Sequence, residues 1–373
     1  MTLLAGVESL KKTALYDQHV LLGGKMVNFN GWALPVYYSG ILQEHEWTRR
    51  SCCVFDVSHL GEIRVKGKAA FSFLQHRLTN DLQKLPDGRM QYHLLCDESG
   101  GVIDDVLVYR ESADDFYLVV NASNIAADFE ALSECAPSGL EIRDQSDQTG
   151  CVAVQGPKAE TILTKIFGFN LKNMEYYAFQ SEKFLGEPLW ISRSGYTGED
   201  GFEIFSSHDL VREIWDKLIH EGKTEGALPA GLGARNTLRL EAGNALYGND
   251  MNRTTSALEA GLGFAVSFTK EGGFVGREWL LAEKQRGSKK KLIAFRVLDK
   301  PVAREHYPIF KEGKKVGEVT SGSFGPTVGA SIGLGYVEAG LESAGTRIEI
   351  EIYGRMIPAE VVKRPFVEMR HKR

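Results

Sequence analysis

The chain has 373 residues, 43% of them hydrophobic and 25% charged, with a formal net charge of -5. That length exceeds what one hydrophobic core usually spans, so two or three domains are expected, and the negative balance offers no general attraction to nucleic acid. No window of about 18 apolar residues occurs and the N-terminus lacks a signal-peptide pattern, so a soluble protein that stays in the cytoplasm, with no membrane partner, is expected.

Taken in chain order, the patterning marks a helix at 41–50, a strand at 61–65, a helix at 69–77, strands at 102–109 and 116–120, and helices at 122–133 and 158–167. Strands at 189–194 and 202–205 follow, then helices at 208–221 and 234–242, and strands at 292–297 and 346–352. With 40 glycines between these runs, the pattern is α+β. A charged stretch at 283–291 separates a long first part from a strand-rich tail whose Gly-rich turns, such as 322–325, favour a small β-barrel or sandwich. The only dense basic runs are 289–291 and 370–373. The five cysteines, Cys52, Cys53, Cys96, Cys135 and Cys151, have no C-x-x-C spacing; they read as small buried hydrophobes in a reducing compartment, not as disulfides or metal ligands.

Several segments carry candidate chemistry. Asp104 and Asp105 sit in an otherwise apolar strand opened by Gly100-Gly101, and strand alternation sends them to opposite faces. Burying one of them costs several kcal/mol unless something compensates, which points to a functional carboxylate, a turn cap or an arginine partner. In the run from Ser194 to Ile204, Glu203 lies on the face opposite Phe202 and Ile204, where a carboxylate can accept the paired N–H donors of a pterin or guanine edge, or simply face solvent. Arg235 and Arg239 stand four apart on a glycine-flanked helix, suited equally to gripping carboxylates and to a structural ion-pair network. Asp56, Ser58 and His59 are triad types, but sequence neighbours point apart and make no serine hydrolase.

These segments together resemble the glycine cleavage system T-protein (aminomethyltransferase) family over nearly the whole chain. The resemblance rests on Phe55-Asp56-Val57-Ser58-His59, Leu78-Thr79-Asn80-Asp81, Gly100-Gly101 with Asp104-Asp105, Gln155-Gly156-Pro157, Tyr196 to Gly201, Gly231 to Gly243, Leu246-Tyr247-Gly248 and Thr320-Ser321-Gly322, in family order. The opening Thr13-Ala14-Leu15-Tyr16, the 29–35 stretch and the terminal Lys363-Arg364-Pro365-Phe366-Val367 match as well.

The resemblance implies three domains around a central folate channel. A folate-binding region at 1–283 would consist of two interleaved α/β subdomains, 1–60 with 147–235 and 61–146 with 236–283, and 284–373 would form a C-terminal β-barrel. Asp105 then looks like the essential acid or base beside the folate N5 and N10, and Glu203 like the carboxylate that holds the pterin edge. Tyr92 and Tyr196 resemble channel aromatics and Asn121 a polar contact to the ring. Arg235 is similar to the family arginine near the glutamate tail, with Arg370 adding charge at the mouth. The implied co-substrate is tetrahydrofolate, with no metal, nicotinamide or flavin; the implied partner is the lipoylated H-protein of the glycine cleavage system.

Two other functions share the scaffold: a folate-dependent demethylase, and a non-enzymatic folate-binding protein whose Lys-Gly-Cys-Tyr-x-Gly-Gln motif is not found here. Where related sequences commonly carry Ala, Asp and Trp, this chain has Asn30, Asn236 and Phe264. Asn236 removes a negative charge beside Arg235, so an ion pair is expected to be absent there.

Overall fold

The computed structural model describes residues 10–372, so the first nine positions of the expected 1–60 segment and position 373 of the expected barrel lie outside it. Three large sheets build the molecule. A six-stranded sheet runs in the order Phe179–Phe184, Glu187–Ser192, Gly201–Ser207, Thr149–Gln155, Cys52–Asp56, Ala227–Pro229, antiparallel except for the last pair. A five-stranded antiparallel sheet runs Arg89–Cys96, Val102–Ser112, Asp115–Val120, Gly61–Lys66, Glu141–Asp144. The tail closes into a six-stranded barrel of Lys290–Val297, Ala330–Glu338, Lys314–Gly325, Pro308–Lys311, Arg347–Ile352 and Arg355–Val362.

The barrel answers the tail's patterning. In Arg347–Ile352 the sequence RIEIEI turns Ile348, Ile350 and Ile352 inward and leaves the charges outside, and closure removes free edges. The six-stranded sheet is harder to read, because Cys52–Asp56 and Thr149–Gln155 lie side by side within it and are buried on both faces; without alternation they carry little strand signal. Val152, Val154, Phe202 and Ile204 pack against the helix His208–His220 through Trp215 and Ile214. Their sequence neighbours Cys151, Ala153 and Phe205 face the other way, where they meet Tyr109, Tyr117 and Val119 of the five-stranded sheet. The two sheets thus share one apolar layer, and any polar residue on that layer faces the space between them.

Asp56 is fully built into this core. It accepts bonds from Thr13 Oγ1 at 2.6 Å and Ser58 N at 2.9 Å, and His19 Nε2 lies at 2.8 Å. Burial alone would raise its carboxyl pKa, but the His19 hydrogen bond and charge prevail and lower it to about 2. Ser58 bonds the Cys151 backbone and His59 turns elsewhere, so the triad types do diverge. Four cysteines are buried as expected; Cys135 is exposed, because it follows the end of the helix Ile125–Ser133 at the surface. That helix starts three residues later than the sequence suggests, since Asn121 to Asn124 form a turn closed by Asn124 N to Asn121 O at 2.9 Å. No helix among the described residues is long and apolar enough to cross a membrane.

Candidate active site

Between the two sheets, and extending to the barrel, lies a cavity of about 450 Å³. Glu203 enters it for the reason its sequence position suggests: in Gly201–Ser207, Phe202 and Ile204 take the helix side and Glu203 the inter-sheet side. Only 6% of Glu203 is exposed, and Ser194 Oγ donates to its Oε2. Burial raises its pKa, opposed by the Ser194 bond and the charge of Arg235.

The turn between Ser192 and Gly201 brings Tyr196 to the same wall. Gln155 braces this turn, donating from Nε2 to Ser194 O at 3.0 Å and accepting from Thr197 Oγ1 at 2.8 Å. Gly195 is needed here because a Cβ would stand 1.9 Å from Gln155 Oε1. The Tyr196 hydroxyl donates to Ala245 O, fixing its ring, and the Arg235 guanidinium lies 4.8 Å from that ring's centroid. Burial lowers the Arg235 pKa while Glu203 opposes the shift, so the two charges share one end of the cavity.

Arg239, one turn further along the helix Leu232–Glu241, does something else. It is locked into a buried network with Asp250 at 2.9 Å, Ser321 Oγ at 2.9 Å and Asn244 O at 3.1 Å. Of the two readings of this arginine pair, the structural network holds for Arg239, while Arg235 lines the cavity. Asn236 Oδ1 accepts from Arg239 Nε at 2.9 Å, so the uncharged residue serves the structural arginine, and Arg235 has no ion pair among the described residues.

The opposite wall carries Asp105. A bulge between Leu95 and Cys96 lies opposite Ile103, beyond which alternation puts Asp104, Val106 and Val108 on the helix side and Asp105, Leu107 and Tyr109 on the inter-sheet side. Asp105 accepts from Tyr92 Oη at 2.9 Å and from Asn121 Nδ2 at 2.8 Å. The same Asn121 amide donates to Asp104 Oδ1 at 2.8 Å, so one amide holds both carboxylates although they belong to opposite faces. Asp104 is fully buried and also accepts from Asn121 N at 2.9 Å and Asn124 Nδ2 at 2.6 Å. Burial, and next the charge of Asp104, push the Asp105 pKa up to about 7; the Tyr92 and Asn121 bonds oppose the shift. A carboxyl titrating there is suited to proton transfer near neutral pH.

Of the sequence candidates, Asp105, Tyr92, Asn121, Tyr196, Glu203 and Arg235 therefore line one cavity. Arg370 does not. Its side chain is about half exposed, its Nη1 lies 3.7 Å from Glu199 Oε1, and its backbone N donates to Gly198 O at 2.8 Å. This contact docks the tail so that the adjoining Met369 and His371 reach the lining, with His371 stacked on Tyr176 at 4.1 Å. Sequence reasoning missed Arg364, Tyr176 and His59 as cavity residues. His59 stood in a matching motif, and burial lowers its pKa to about 4, leaving it a neutral ring at the wall.

Comparison with known proteins bears on this geometry. Residues 15–270 match the GCVT N-terminal domain and residues 290–368 the glycine cleavage T-protein C-terminal barrel domain. The chain belongs to the glycine cleavage T-protein family. Like its relatives in that family it is an aminomethyltransferase, an enzyme of the transferase class. The chain is 43% identical over 358 residues to the aminomethyltransferase of Bacillus subtilis (strain 168), covering 96% of this chain and 99% of that one. It is 43% identical to that of Thermoanaerobacter pseudethanolicus, covering 98% of this chain and 100% of the other. The crystal structure of glycine cleavage system aminomethyltransferase T from Bartonella henselae superposes with a TM-score of 0.92 at 33% identity, over 98% of this chain and 100% of that chain.

Proposed function

We propose that this T-protein family member moves the methylene carbon of an aminomethyl group, carried on the dihydrolipoyl arm of H-protein, to tetrahydrofolate, with release of ammonia. The observation that carries the reading is one cavity with two unlike carboxyls on facing walls: Glu203, held by Ser194, and Asp105, lifted to about 7. We take the chain as three packed bodies, 1–60 with 147–235, 61–146 with 236–283, and 284–373; membership of the three sheets supports this division.

In this reading Glu203 accepts the 2-amino and N3–H donors of the pterin, and Arg235, whose charge acts on Glu203 at that end of the cavity, is assigned to the ring oxygen beside them and not to the glutamate tail that the resemblance implies. Tyr92 and Tyr196 form apolar walls, and Asn121 orients Asp105. One folate nitrogen attacks the methylene carbon of the protonated aminomethyl group, the C–N bond breaks and ammonia leaves with the proton it already carries, and the proton of the attacking nitrogen passes to Asp105. The second nitrogen then attacks the same carbon, the C–S bond breaks, and the departing thiolate takes the second proton. Positioning supplies what proton transfer does not.

Replacing Glu203 by Ala leaves the ring donors unpaired in a buried place. Calorimetry with tetrahydrofolate is expected to show binding weakened by about 1–3 kcal/mol. Unchanged affinity would remove Glu203 from the folate site.

A further inference from the structure

We propose that Arg364 determines specificity in this cavity by taking a carboxylate of the glutamate that ends tetrahydrofolate. The inference rests on the folate reading above and names the residue that separates conjugated folates from bare pterins.

Arg364 follows the last barrel strand, Arg355–Val362, and reaches the cavity wall on the barrel side. Its side chain lies in a slot between Gly243 and Gly261. A Cβ on Gly243 would stand 3.0 Å from Arg364 Cβ, and one on Gly261 would stand 2.7 Å from its Nη2. Both glycines hold positive φ, 73° and 71°, which other residues rarely adopt. Backbone geometry at two separate places therefore makes room for this side chain and sets where its charge points.

Among the described residues the guanidinium makes no hydrogen bond and no ion pair; the opposite charge it feels is Asp250. Asp250 is already committed: Oδ2 accepts from Arg239 Nη1, Ser321 Oγ and Leu246 N, each at 2.9 Å, and Oδ1 accepts from Thr320 Oγ1 at 2.5 Å. Burial pushes the Arg364 pKa down, the sign of a cation short of compensation. A planar fork of donors in that state matches a carboxylate, which it can take with two parallel bonds.

This cation and the ring site come from different elements: Glu203 stands in the strand Gly201–Ser207 and Arg235 in the helix Leu232–Glu241, whereas Arg364 follows the last barrel strand. Glu203 feels Ser194 and Arg235, whereas Arg364 feels Asp250 and Tyr336. A ligand whose ring is held by Glu203 and Arg235 still needs a counter-charge for its acidic end, and Arg364 is a free cation of the lining away from that pair.

The test is calorimetry on the full chain with two probes, tetrahydrofolate and tetrahydropteroate, which lacks the glutamate. Arg364→Gln is expected to weaken tetrahydrofolate about tenfold or more and leave tetrahydropteroate within about twofold of the parent, with Arg364→Lys recovering part of the loss. An equal loss for both probes would make Arg364 a wall of the cavity rather than a carboxylate site, and no loss for either would send the glutamate elsewhere. A parent chain that bound neither probe would overturn the folate reading and this inference with it; a parent that bound both probes equally would overturn the inference alone.

Discussion

The Asp105→Asn enzyme is expected to melt with the parent and to turn over about 10² to 10⁴ times more slowly, a loss of roughly 3–5 kcal/mol of transition-state stabilisation. Asparagine keeps the shape: its oxygen still accepts from Asn121, and the Tyr92 hydroxyl, which can accept as well as donate, turns to take a bond from the new amide, so the fold and the folate affinity change little, but it cannot accept a proton. Asp104→Asn is expected to behave in the opposite way. That carboxylate receives three donated bonds in a fully buried place, and an amide presents one acceptor where two were, so the change costs about 1–3 kcal/mol of stability. Its effect on turnover at the optimum is milder. The pH dependence separates the two roles further. A base must be ionised, so kcat is expected to rise through pH of about 7, where Asp105 titrates, and to level off above it. Removing the charge of Asp104 removes one of the two forces that raise Asp105, so in Asp104→Asn the limb moves to lower pH. Rate profiles and melting temperatures of both variants, at saturating donor and folate, decide this. A fully active and stable Asp105→Asn enzyme would remove the base; an unmoved limb in Asp104→Asn would remove the coupling.

The largest expected effect on stability belongs to Arg49. Its guanidinium donates to Thr197 O at 2.8 Å, Glu199 Oε1 at 3.0 Å and Glu241 Oε2 at 2.9 Å, almost wholly out of solvent. These contacts tie the helix Ile41–Arg50 to the turn that carries Tyr196 and to the helix that carries Arg235; Glu241 in turn accepts Thr327 N from the barrel at 2.7 Å. Glu241 also has His45 Nε2 at 3.1 Å, and although burial works the other way, these partners hold its carboxyl down at about 2. Arg49→Met keeps the volume but takes the close cation from two buried carboxylates: Glu241 keeps His45 and Thr327 N, whereas Glu199, one oxygen of which already lacks a partner among the described residues, keeps only Arg370 at 3.7 Å. Breaking one side of such a network costs about 3–5 kcal/mol. Denaturant unfolding is expected to show a clear drop in midpoint and a loosened attachment of the barrel. A midpoint equal to the parent's would mean that packing, not the ion pairs, holds these elements together.

How legible all this was in the sequence depends on the kind of force involved. Alternation alone placed Glu203 opposite Phe202 and Ile204, and separated Asp104 from Asp105, because strand geometry leaves no choice. The same rule failed at Cys52–Asp56 and Thr149–Gln155, whose two faces are both buried. Helical spacing put Arg235 and Arg239 on one face, but not their partners: Asp250 and the distant Ser321 draw one away, and a cavity assembled from distant chain keeps the other. The sharing of Asn121 by two carboxylates depends on a turn at a helix entrance that propensity does not mark. Arg364 was part of a matching motif, yet its place in the wall exists only once the chain end has folded back over Gly243 and Gly261.

The central claim is transfer of the methylene carbon from a carrier-bound arm to folate, and ammonia release tests it most directly. The purified chain is given H-protein bearing the aminomethyl-dihydrolipoyl arm, with and without tetrahydrofolate, beside free aminomethyl-dihydrolipoamide and a small methylamine or sulfonium donor. Ammonia and methylenetetrahydrofolate are expected to appear together, to require both carrier and folate, and to form much more slowly from the free arm. Faster turnover of the small donor, or ammonia release indifferent to folate, would contradict the account.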